Sequence, residues 1–173
     1  MSDVELDCTH ITIGTVGEPG DRVFYLQAAE GDRVFTFKIE KGQAAALAER
    51  LVDFVDDLAQ SLGPDPVEPA PDMALRVPIQ PDFVVASISL GFDTERDRVA
   101  ILCLELPLGD EDLDDDDDEP LRTEVRLLIT RTRARTLAKH AAEVVAAGRP
   151  SCELCGFPKG PKHVCPRSNG RHE

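Results

Sequence analysis

Cys152, Cys155, His163 and Cys165 lie within 14 residues near the C-terminal end of the sequence, spaced Cys-x2-Cys…His-x-Cys. Three thiolates and an imidazole are the donor set of a tetrahedral structural zinc ion. In a Cys-x2-Cys turn both sulfurs point to one centre, and Gly156 permits the tight backbone this requires. His163 and Cys165 are one residue apart, so in an extended segment their side chains face the same way. Pro158, Gly160 and Pro161 shape the seven-residue connection between the two pairs. His172 is the alternative fourth ligand. Fraying near the C-terminal end weakens it, which favours His163. Four available ligands predict a closed structural site, since a catalytic zinc keeps one position for water. A redox Cys-x2-Cys would need a strand–helix setting, and this one reads as loop. The plainer alternative, free cysteines in a flexible tail, does not account for four suitable donors in so short a span.

Other candidate chemistry is sparser. Arg131, Arg133 and Arg135, with Arg122 and Arg126, surround the start of a predicted helix, where cations oppose the helix dipole. Two compensations are open. An acidic run upstream would neutralise the arginines internally, which proximity favours. Alternatively they contact a phosphate or an acidic partner, because helix-start amides and arginine bind anions well. Cys8 and His10 could form a thiol–base pair, but no third member accompanies them and they read as inert. Cys103 lies inside an apolar run and reads as a buried small hydrophobe. His140 reads as a surface or boundary residue. No phosphate-binding loop, dinucleotide fingerprint, nucleophile elbow or His-Glu-x-x-His is present. These patterns lean away from an enzyme, with no catalytic residue assigned.

The elements that must position these groups follow from periodicity. His10–Val16, Arg22–Ala28 and Arg33–Ile39 read as strands joined by short turns, an antiparallel meander. From Gln43 to Leu62 the period becomes helical, with a stripe of Ala44, Leu47, Leu51, Phe54, Val55, Leu58 and Leu62. Pro64, Pro66, Pro69 and Pro71 predict an extended polyproline-type linker over 63–73. The second half answers the first. Leu90-Gly91…Asp97-Arg98-Val99 echoes Ile13-Gly14…Asp21-Arg22-Val23, and Phe37–Glu49 aligns with Leu127–Lys139 at a constant offset of 90 residues. The predicted fold is α+β: two strand-rich ββ(β)α units, 9–62 and 74–148, share an antiparallel sheet of six or seven strands with two packed helices. The zinc-binding tail, 149–173, follows this body of 1–148.

The core must be aliphatic, because 42% of residues are hydrophobic but only 5% are aromatic and none is Trp. Net charge is −14, which repels nucleic acid and anionic membranes at long range. Residues 149–173 alone carry a formal +3. Within the acidic loop 109–120, nine of the ten residues from Asp110 to Glu119 are acidic. Such a run self-repels, so it reads as a solvated disordered insertion. No apolar run reaches the roughly 18 residues of a membrane span. An acidic N-terminal segment without a signal core predicts a cytoplasmic protein. In that reducing setting clustered cysteines are metal ligands rather than disulfides.

Three stretches carry a family resemblance: Gly14–Gln27 (GTVGEPGDRVFYLQ), Leu47–Leu51 (LAERL), and Gly148–Gly156 followed by His163–Gly170. With these the chain resembles an uncharacterised bacterial family, domain-of-unknown-function family 3090. The resemblance implies no activity. It implies an actinobacterial setting in which family genes lie beside those of a phosphomutase-like and a lipid-kinase-like protein, and so a shared pathway or complex.

Two functional readings result. One is a non-enzymatic interaction or adaptor module with a structural zinc and a protein partner. The other is a binder of, or enzyme acting on, a phosphorylated small molecule through Arg131, Arg133 and Arg135. Nucleic-acid binding by the tail ranks last, since the tail has a single aromatic, Phe157, on an acidic body.

Overall fold

The computed structural model describes residues 2–107, 122–149, 152–157, 159 and 163–167. The acidic loop 109–120 and His172 lie outside these. Seven strands and two helices run in the order β1 (Ser2–Asp7), β2 (His10–Val16), β3 (Val23–Glu30), β4 (Arg33–Ile39), α1 (Lys41–Leu62), β5 (Phe83–Asp93), β6 (Arg98–Glu105), β7 (Thr123–Ile129), α2 (Arg131–Ala146). The fold is α+β, with one sheet of order β1-β7-β6-β5-β4-β3-β2.

The sheet is mixed rather than antiparallel throughout. β2-β3-β4 and β5-β6-β7 are antiparallel meanders, as the short turns require. Two junctions between them are parallel, β4 with β5 and β1 with β7. A parallel neighbour needs a crossover, and α1 supplies one between β4 and β5. The strand β1 did not emerge from periodicity. It follows the body's last strand in the sheet although it comes first in the chain. Only Cys8 and Thr9 separate it from β2 on the opposite edge. Cys8 N–H donates to Leu128 O and Thr9 N–H to Ala29 O, so the two ends of the sheet converge there.

The registers of the two meanders coincide. Ile13, Leu26, Phe37 and Phe83 stand in one row across β2-β3-β4-β5, and Leu90, Ile101, Leu127 and Leu6 in another across β5-β6-β7-β1. The 90-residue offset agrees with this, because Ile39 pairs with Phe24 as Ile129 pairs with Val99. It also places Val99 level with Phe24, not Val23. A one-residue slip changes the face a side chain takes.

α1 and α2 bury Ala44, Leu47, Ala48, Leu51, Val55 and Ala134, Leu137, Ala138, Ala141 into the same core as the two rows. The helical stripe from Ala44 to Val55 lies where periodicity puts it. Leu62 at the end of the stripe is exposed. The proline-rich segment forms no helix or strand, as expected, but it is no free spacer. Buried Gln27 donates to Arg76 O (3.0 Å) and accepts from Arg76 N–H (2.7 Å). Thr12 donates to Met73 O (2.6 Å), and Leu75 fills the space over Gly14. These contacts pin residues 73–76 across β2 and β3.

Candidate metal centre

Beyond α2 the chain makes a tight turn. Gly156 N–H donates to Cys152 O and Cys152 N–H to Phe157 O, each at 2.8 Å, with Gly156 at φ +75°, a region glycine enters freely. The turn brings Cys152 and Cys155 together, and the extended segment 163–165 returns His163 and Cys165 to them. The four ligand atoms lie within 4.8 Å of one another. Cys152 Sγ is 3.8 Å from Cys165 Sγ, and Cys155 Sγ is 3.5 Å from His163 Nε2. Cys152 and Cys165 are buried, and Arg167 donates to Leu154 O to hold the return segment. Backbone N–H groups of Cys155 and Leu154 point at the Cys152 sulfur and lower its pKa to about 6, so it is a thiolate at neutral pH. Desolvation raises Cys155 in the opposite direction. The group could hold a metal ion.

A family model described as "Protein of unknown function (DUF3090)" matches residues 6–165. The chain belongs to this family. The match runs from β1 to the last cysteine of the cluster, so body and cluster are both inside it. No curated protein matches the chain. No solved structure matches it either.

The arginines at the start of α2 are paired within the chain. Arg131, only 6% exposed, is 3.0 Å from Asp97 and 3.6 Å from Asp65, and donates to Gly63 O. Arg133 faces Glu68 at 3.4 Å and donates to Cys8 O. Arg135 bridges Asp65 (2.6 Å) and Asp56 (2.7 Å), which raise its pKa. The partners sit at the end of α1, in the proline-rich segment and in the β5–β6 turn. Thr130 caps the helix by accepting from Arg133 N–H.

Among the described residues no hydrogen bond joins Cys8 to His10, and the Cys8 thiol donates to Leu6 O. Burial, with the charges of Asp7 and Glu30, pushes the Cys8 thiol up to about 12, and burial lowers His10. Cys103 is fully buried and likewise at about 12. An unfolded thiol ionises near 9, so above that pH the unfolded chain holds fewer protons than the folded one and stability falls. The melting temperature should lose a component between pH 9 and 12 that a Cys8→Ala, Cys103→Ala double variant no longer shows. Identical alkaline profiles would refute this. His140, half-buried, contacts Ile13 O at 2.9 Å, a tie between α2 and β2 that its position in the sequence did not signal. Among the described residues no helix is long and apolar enough to cross a membrane.

Proposed function

We propose that this protein is a non-enzymatic interaction module whose C-terminal segment is closed by one structural zinc ion. The distances support zinc. With Zn–S near 2.3 Å and Zn–N near 2.05 Å, a tetrahedron has S–S edges of about 3.8 Å and S–N edges of about 3.5 Å. Cys152–Cys165 and Cys155–His163 have these separations. Four protein ligands leave no position for substrate. Five cysteines with no disulfide among them suit a reducing, cytoplasmic setting. The coincident registers favour a body of two like halves with the tail appended.

The observation that carries the interaction reading is exposed apolar surface on the tail. Leu154, Phe157 and Val164 are 57%, 60% and 74% exposed, three of the ten exposed large apolar side chains among the described residues, in a very short segment. A metal-closed turn fixes their backbone, which lowers the entropy a partner must overcome. Affinity capture from native cells should compare the wild type with a Leu154→Ser, Phe157→Ser, Val164→Ser variant, both holding one zinc per chain. Loss of a specific partner in the variant supports the reading. The same partners with both would move the function to the body. Phosphate binding at Arg131, Arg133 and Arg135 is the weaker alternative, because a ligand there must displace Asp65, Glu68 and Asp97.

A further inference from the structure

A cleft of about 470 Å³ opens beside the start of α1, lined by the cations Arg22, Lys38, Lys41 and Arg149. Glu40 is the one carboxylate among its lining residues, and as the helix cap its side chain accepts from the Gln43 N–H. With 33 acidic residues against 19 basic, the chain has carboxylates enough to pair every cation. It pairs Arg131, Arg133 and Arg135. Among the described residues, none of the four cleft cations is in a salt bridge.

Two of these cations, Arg22 and Arg149, are held in place by other means. Arg22 donates to Val144 O near the end of α2 and lies 5.3 Å from the Phe24 ring centroid. Arg149 donates to Pro19 O at 2.7 Å, and its guanidinium occupies the space that a side chain at Gly20 would fill. A methyl group at Gly148 would stand 3.1 Å from Arg22 Nη2 and 3.2 Å from Lys41 Nζ, so these two cations converge on one point. Like charges so placed repel unless an anion lies between them. Lys41 also sits in the first turn of α1, where a cation opposes the helix dipole. The N–H groups of Lys41 and Gly42 have no partner among the described residues, and the space around Gly42 is open. Converging cations and open helix-start amides together make an anion cradle. Beside it, Val23, Phe24 and Ile39 supply an apolar wall.

We propose that this cleft binds a small phosphate ester, with the phosphate held by Arg22, Lys41 and the α1 amides and the organic part against the Val23–Phe24–Ile39 wall. The volume lies within the range of small-molecule sites. Titration calorimetry at low salt on the full, zinc-loaded chain tests this, with phenyl phosphate and inorganic phosphate as probes. Phenyl phosphate is expected to bind about tenfold tighter than inorganic phosphate, because only the ester reaches the apolar wall. Lys41→Gln should weaken phenyl phosphate by about tenfold or more. Lys41 is exposed and unpaired, so this change spares the fold. Arg96→Gln, at an exposed arginine outside the cleft, should leave binding unchanged. Absence of heat with both probes at millimolar concentration, or equal affinity in wild type and Lys41→Gln, would overturn the proposal. Equal affinity for the two probes would overturn the ester assignment.

Discussion

Cys152→Ser or Cys165→Ser is expected to reduce bound zinc from about one ion per chain to near zero and to release residues 152–167 to solvent exchange. Each sulfur stands at a tetrahedral edge distance from another ligand, and both are buried. A serine hydroxyl does not ionise at neutral pH and cannot replace a thiolate. Elemental analysis and amide exchange read the two effects separately. Unchanged metal content would sink the zinc assignment. His163→Ala should cost the metal while His172→Ala should not, because His163 Nε2 is already 3.5 Å from Cys155 Sγ. Acid should act in the same direction as substitution. Protons compete with the metal for thiolates, and Cys152 remains ionised down to about pH 6 even without one. Metal content should therefore fall as pH is lowered. Metal content that acid leaves unchanged would count against thiolate ligation.

Arg131→Ala should destabilise the body by about 3 kcal/mol, at the lower end of the cost of removing one partner of a buried ion pair. Arg131 is the only one of the three helix-start arginines that is nearly fully buried. It ties the N-terminus of α2 to the carbonyl after α1, to the β5–β6 turn through Asp97 and to Asp65. Its removal takes away the cation 3.6 Å from Asp65 Oδ1, which accepts no hydrogen bond. Arg135 stays beside Asp65 and limits the loss. Arg135→Ala should cost under about 1 kcal/mol, since that side chain is 41% exposed and solvent screens its pairs. Urea denaturation of both variants decides the matter. Equal effects would mean that burial is not what distinguishes the two.

Much of the body is legible without coordinates. The strand His10–Val16 and the helix from Ala44 to Val55 follow from local period, because one face of each must be apolar to meet the core. The Cys152–Cys165 cluster is legible because its donors are close in sequence and few chemistries want them. Four features are not legible in this way. β1 has only Val4 and Leu6 as apolar residues, and its parallel partner β7 lies more than a hundred residues away. Periodicity signals a strand's type but not its neighbour, so the mixed character of the sheet was hidden too. Proline spacing in 63–73 indicates an extended chain, yet Gln27, Thr12 and Gly14 decide that the segment just after it is docked. The carboxylates that neutralise the arginines come from Asp65, Glu68 and Asp97, each brought near by the return of the chain and not by proximity in sequence.

The sequence by itself determined most element types, the aliphatic core and the set of four candidate metal donors, because each depends on residue type and local spacing. Tertiary structure alone decided which charges meet. Electrostatic pairing depends on distance through space, and it is the folding of β3, β4 and the α1 start against the end of α2 that leaves Arg22, Lys38, Lys41 and Arg149 together around one cleft while the arginines of α2 are matched.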